Sequence, residues 1–153
     1  MSAEARLAKL GIELPEPPEP VASYIPAVAI GGFIFVSGQI PARLGGLPRT
    51  GLVGADLTVE EATEEAYWCA INVLAQLRGI AGSLDTIERI VRLGVFVASA
   101  PGFRSQAAVA NGASDLMVKV FADDGRHART TIGVTELPLG APVEVDAIVA
   151  LRT

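Results

Sequence analysis

The stretch Arg129-Thr-Thr-Ile-Gly-Val-Thr-Glu-Leu-Pro-Leu-Gly-Ala-Pro-Val-Glu144-Val-Asp-Ala-Ile-Val149 sets one arginine and one glutamate into two otherwise apolar, strand-like runs joined through Leu137-Pro138. An ionised side chain taken out of water and left unpaired costs about 3 to 5 kcal/mol, so Arg129 and Glu144 are expected to face each other, a ligand or a wet cleft. Glu144 and Asp146 share one strand face by parity, and Val143, Val145, Ala147 and Val149 share the other, purely apolar one. The turn is short enough to bring Glu144 within a rung or two of Arg129 or Thr131, with the register open. A guanidinium fork suits a carboxylate bidentately and stays charged at any working pH, so Arg129 is a candidate anchor for a small carboxylic acid. The competing reading is a structural pair with Glu144 or Asp146.

Working outward from this stretch, Ile87 to Val97 is rich in branched residues and reads as a long strand, with Arg89 and Arg92 on opposite faces by parity. Phe103 to Phe121 suits an amphipathic helix, interrupted by Asn111-Gly112. An interior glycine costs a helix about 1 kcal/mol relative to alanine, so either the helix starts near there or its backbone approaches something closely. Thr58 and Glu61 form a capping box for a helix over Val59 to Ala81. Glu60, Glu61, Glu64 and Glu65 in its first turns read as a solvated capping cluster rather than a metal site. Before it lies a Gly/Pro-rich loop, Pro41 to Gly54. Ala27 to Ile30 and Phe33 to Ser37 around Gly31-Gly32 predict a hairpin with a two-residue turn. Ser2 to Leu10 has helical composition, and Leu14 to Pro20 is a Pro/Glu arm. The order ββαβαββ predicts an α+β layer, a single sheet with two helices on one face, and assigns residues 1–22 to a helix and Pro-rich arm ahead of a domain over 23–153. The uncovered sheet face is the expected oligomer surface.

Composition narrows the function classes. The chain of 153 residues is half hydrophobic and 19% charged, with a mean hydropathy of +0.44, more apolar material than a monomer of this size usually hides. A homo-oligomer follows. The apolar runs are short, so no membrane segment is expected, and the N-terminus has neither secretory nor transit character, which points to the cytoplasm. One cysteine, Cys69, and one histidine, His127, leave a zinc or iron site without its usual ligands, so no metal is expected. Cys69 reads as a buried inert thiol and His127 as a solvated or packing residue. A net charge of −5 opposes a phosphate backbone, so nucleic acid is not the expected principal partner. Tyr24 beside the arm and Asn111 at the helix break are neutral hydrogen-bonding candidates, and Gly38 ends a strand where backbone could approach a ligand.

These residues carry a resemblance. Ser23-Tyr24, Phe35-Val36-Ser37-Gly38-Gln39-Ile40-Pro41, Asn72, Asn111, Ala128-Arg129, and Leu137-Pro138 leading to Val143-Glu144-Val145-Asp146-Ala147 occur in the order and spacing of the Rid family, the reactive intermediate deaminases formerly called YjgF or L-PSP proteins. The chain resembles that family from about Ser23 to Leu151. The resemblance implies a chorismate-mutase-like fold, a homotrimer with sites between subunits, and cofactor-free hydrolysis of small 2-imino acids to 2-keto acids and ammonia. It implies that Arg129 clamps the substrate carboxylate, that Glu144 orients the attacking water, and that Tyr24, Gly38, Asn111 and Thr131 line the cleft, with Tyr24 from the neighbouring subunit. Thr131 stands where well-studied members often have cysteine, and Arg126-His127 replace the common Phe-Pro. A non-catalytic trimer binding small 2-keto acids is the alternative, and the endoribonuclease activity of the older family name a third.

Overall fold

The computed structural model describes residues 1–17 and 23–152. Its elements are α1 (Ala3–Lys9), β1 (Ala27–Ile30), β2 (Phe33–Gln39), α2 (Val59–Ala81), β3 (Ile87–Ala98), α3 (Gln106–Phe121), β4 (Ala128–Val134) and β5 (Val143–Leu151). Gly31 and Gly32 both take positive φ, 58° and 81°, as a tight hairpin turn needs, and Ile30 pairs with Phe33 across it. Helix α2 starts on its capping box, with the Thr58 hydroxyl accepting from the Glu61 amide and the Glu61 carboxylate accepting from the Thr58 amide. It ends on Gly82 in the left-handed conformation. Among the described residues no helix is long and apolar enough to cross a membrane.

The strands form one sheet in the order β1-β2-β5-β3-β4. Every neighbouring pair is antiparallel except β3 and β4, which run parallel because α3 carries the chain back over the sheet between them. Helices α2 and α3 cover one face, and Val143, Val145, Ala147 and Val149 of β5 meet them fully buried or nearly so. The other face stays open. Val28, Ile30, Phe33, Phe35 and Ile132 line it and are all exposed.

Two expectations fail here. The Leu137-Pro138 turn does not set Glu144 beside Arg129 or Thr131, because β3 lies between β4 and β5 and pairs with both, so the segment 135–142 steps across a strand instead of turning back along one. Arg89 and Arg92 do not lie on opposite faces. Register shifts between Ile87 and Arg89 and between Ile90 and Arg92 reset the alternation, and both arginines pair with open-face residues of β5, Ala150 and Ile148. Strict parity holds only for an unbulged strand.

The glycine inside α3 has a structural purpose. The helix runs unbroken through Gly112, and a Cβ there would overlap the Thr63 carbonyl oxygen of α2 and sit 3.1 Å from the Tyr67 amide nitrogen. The two helices cross with backbone almost touching backbone. Gly112→Ala is therefore expected to cost about 3 kcal/mol, well above its helix-propensity gain, because neither backbone can yield without moving a helix. Urea unfolding of the variant measures this, and an unchanged midpoint would contradict the close crossing.

Glu65 departs from the solvated cluster predicted for the start of α2. It is fully buried and accepts from Arg43 through both carboxylate oxygens at 3.2 Å and from Arg49 at 2.6 Å. The Arg43 guanidinium also lies over the Trp68 ring at 4.6 Å. Both arginines come from the loop before α2, so a buried ion cluster fastens that loop to the helix. Asn72 does the same two turns on, donating to the carbonyls of Ile40 and Ala42 at 2.9 and 3.0 Å.

Candidate functional site

Arg129 stands near the start of β4, an edge strand. It pairs with Leu93, a core residue, so its side chain lies on the helix-covered side of the sheet. There it reaches α3. Nη1 donates to Asn111 Oδ1 at 2.9 Å and to Ser114 Oγ at 3.1 Å, and Nη2 to the Ala107 carbonyl at 3.4 Å. Residues 107, 111 and 114 fall at four- and three-residue steps, which stacks them on one helix face. All three acceptors are neutral. Among the described residues no carboxylate forms an ion pair with Arg129, and Asp146, a candidate structural partner, instead lies 3.6 Å from Arg92 and accepts from the Gly94 amide at 3.0 Å. The guanidinium is thus oriented but not neutralised.

Thr131 shares that side of the sheet, since it pairs with the core residue Val95. Its hydroxyl is buried and finds no hydrogen-bond partner among the described residues. An unmade hydrogen bond at a buried hydroxyl costs about 1 to 3 kcal/mol.

Glu144 lies elsewhere. It pairs with Phe96 of β3, whose partner in β4 is Ile132, a residue of the open face. Glu144 and Arg129 of one chain therefore occupy opposite faces of the sheet, with β3 between their strands and about 10 Å from strand to strand. They do not face each other. Instead Glu144 lies against β2, where an extra residue between Val36 and Gln39 bulges the strand. A Cβ on Gly38 would overlap the Glu144 carboxylate, so the close approach that this glycine permits within one chain is to that side chain. Burial pushes the Glu144 carboxyl above the ordinary carboxylate range, and the charge of Asp146 on the same face adds to the rise.

Gly38→Ala is expected to displace the Glu144 carboxylate and to lower any turnover that depends on it about tenfold or more, while leaving ligand binding at Arg129 intact. Parallel measurement of kcat and of carboxylate affinity separates the two. Equal loss in both would show that Gly38 serves the fold instead.

Tyr24 is exposed and precedes β1, the strand at the edge of the sheet opposite β4. Within one chain it cannot join Arg129. Cys69 is fully buried, donates to the Val143 carbonyl at 3.4 Å, and has its thiol pKa pushed well up by burial. That removes it as a nucleophile.

The surroundings of Arg129 include Ser114, which sequence reasoning did not single out, and His127, which it read as a solvated or packing residue. Ser114 bonds His127 Nε2 at 2.9 Å as well as Arg129, and His127 Nδ1 meets the Gly125 carbonyl at 2.6 Å. Only the helical spacing from Asn111 to Ser114 hinted at the first contact, and nothing local hinted at the second.

A five-stranded sheet of this order, with one face covered by two helices, defines an α+β protein. The family model described as "YjgF/chorismate_mutase-like, putative endoribonuclease" matches residues 4–149. The chain belongs to this family, which is also called Rid. It is 48% identical over 149 residues to Protein TCP17 of Trypanosoma cruzi, covering 97% of this chain and 93% of that protein. A 2-iminobutanoate/2-iminopropanoate deaminase of Dermatophagoides farinae is 28% identical over 141 residues, covering 92% of this chain and 95% of its own. Among solved structures, Agrobacterium tumefaciens protein Atu1372, of unknown function, superposes with a TM-score of 0.89 at 43% identity, over 99% of this chain and 94% of that one.

Proposed function

We propose that the protein is an enamine/imine deaminase, hydrolysing 2-imino acids of the 2-iminobutanoate and 2-iminopropanoate type to 2-keto acids and ammonia. The observation that carries this reading is Arg129, held by three neutral acceptors and left with a full positive charge for an anionic ligand. The name of the Dermatophagoides farinae relative agrees with it.

The substrate carboxylate binds the Arg129 fork, and the neighbouring Thr131 hydroxyl gains the hydrogen bond it lacks from the same ligand. This fixes the C=N carbon for attack. Glu144 holds a water and takes one of its protons as the oxygen adds to that carbon, and passes this proton to the imine nitrogen to give a carbinolamine. The tetrahedral adduct then collapses: its hydroxyl proton moves to the amine nitrogen, the C–N bond breaks, and ammonia departs from the 2-keto acid.

Arg129 and Glu144 of one chain are too far apart for this, so the working site takes Arg129, Asn111 and Thr131 from one subunit and Glu144 and Gly38 from its neighbour. Tyr24, at the far edge of the sheet, likewise reaches Arg129 only from another copy. A homotrimer built on the open face supplies these contacts, and the exposed row of Val28, Ile30, Phe33, Phe35 and Ile132 is the surface it would bury.

A serine/threonine dehydratase generating 2-aminoacrylate or 2-aminocrotonate in situ tests the reading, with keto-acid release followed with and without this protein. Faster release supports the deaminase. Unchanged release across several parent amino acids, from a protein that still binds 2-keto acids, would leave the non-catalytic binder.

A further inference from the structure

Gly125, His127, Ser114 and Arg129 form a continuous hydrogen-bonded chain from the turn before β4 to the guanidinium. Its polarity can be derived. The Gly125 carbonyl only accepts, so His127 Nδ1 carries a proton, and in the neutral ring Nε2 is a bare acceptor. Ser114 therefore gives its hydroxyl proton to Nε2 and turns its lone pairs to Arg129 Nη1. The start of this chain is firmly built, since Gly125 is buried and a Cβ on it would overlap the Met117 carbonyl of α3. The ring is half-buried between these partners.

We propose that Ser114 and His127 are positioning residues for Arg129: the imidazole, acting through the Ser114 hydroxyl, fixes the guanidinium for its anionic ligand, and protonation of the ring is coupled in turn to carboxylate binding. This rests on the reading of Arg129 as a carboxylate clamp.

The groups around the ring set the sign of the coupling. From α3 it meets the Ser114 hydroxyl, from the turn the Gly125 carbonyl, and from its own strand the charge of Arg129. The acids of the turn are engaged elsewhere, Asp123 with Arg126 and Asp124 with Arg152. Burial lowers the pKa of His127 first, the Gly125 carbonyl works against that, and the Arg129 charge lowers it further. A carboxylate seated on Arg129 cancels this last effect, so the ring's pKa rises on binding. By reciprocity, carboxylate affinity increases as the pH falls through the ring's titration range.

His127 is the sole histidine of the chain, which makes its imidazole a single unambiguous nitrogen NMR signal. The experiment titrates it with pH in the full-length protein, with and without 2-oxobutanoate, a stable product-type ligand. The expected result is a protonated Nδ1 and bare Nε2 in the free protein, with a midpoint that rises on saturation in the wild type and stays fixed in Arg129→Ala. Ser114→Ala should weaken 2-oxobutanoate binding about tenfold without lowering the melting temperature. His127→Gln, whose amide oxygen accepts in place of Nε2, should bind near the wild-type level, and His127→Leu should bind like Ser114→Ala. A wild type that binds 2-oxobutanoate and loses it in Arg129→Ala, with Ser114→Ala and His127→Leu binding normally and the ring midpoint unmoved, would overturn the inference and leave the clamp standing. A wild type that binds no 2-oxobutanoate would overturn both.

Discussion

Arg129→Ala is expected to lower 2-iminobutanoate hydrolysis about a hundredfold or more while leaving the fold in place. The clamp supplies orientation, and misplacing a reacting centre by about 1 Å already costs on the order of a hundredfold in rate. Its removal leaves Asn111, Ser114 and the Ala107 carbonyl at an open sheet edge where water replaces the lost donors, so the melting temperature should barely move. Lysine keeps the charge and loses the fork, so Arg129→Lys should recover only part of the rate. Turnover in the dehydratase-coupled assay, read beside a thermal melt, decides it. Near-normal turnover by the alanine variant would remove the clamp from the account.

Glu144→Gln carries the second large effect, a fall in kcat of about a hundredfold to ten-thousandfold with substrate affinity held, because the amide orients a water but cannot take its proton. The ionised form is the active one. Since burial and Asp146 raise the Glu144 pKa, activity should fall on the acid side at a higher pH than an ordinary glutamate would give, and Asp146→Asn should move that limb to lower pH. The stability sign runs the other way. A carboxyl whose folded pKa lies above its unfolded value costs stability when both states are ionised, and the cost is relieved as pH falls through the folded pKa. Glu144→Gln should therefore be at least as stable as the wild type at neutral pH. A variant that loses both activity and stability at pH 7 would make Glu144 a structural residue.

Much of the fold was legible because local rules and tertiary packing agree. The capping box of Thr58 and Glu61 and the Gly31-Gly32 turn act through near neighbours, and both elements form where the spacing places them. Gly112 was legible as a choice between two causes, and a close helix crossing is the one realised. What stayed hidden depends on partners distant in sequence. The place of β3 between β4 and β5 cannot be read from either strand, and the bulges that bring Arg89 and Arg92 to one face are visible only as register. Glu65 looked solvated because the arginines that bury it sit in an irregular loop.

The candidate site divides in the same way. The residue types and their roles came from spacing and resemblance, whereas their distribution over two faces required the sheet order. That distribution turns a list of residues into a claim about assembly: each working site belongs to two chains. Mixed trimers test this most directly. Arg129→Ala and Glu144→Gln chains, each inactive alone, are co-refolded in equal amounts and assayed for imine hydrolysis. If Arg129 and Glu144 of a site come from different subunits, random assembly pairs an intact Arg129 with an intact Glu144 at about one interface in four, so about a quarter of wild-type activity should return. Mixed trimers as inactive as their parents would contradict the shared site.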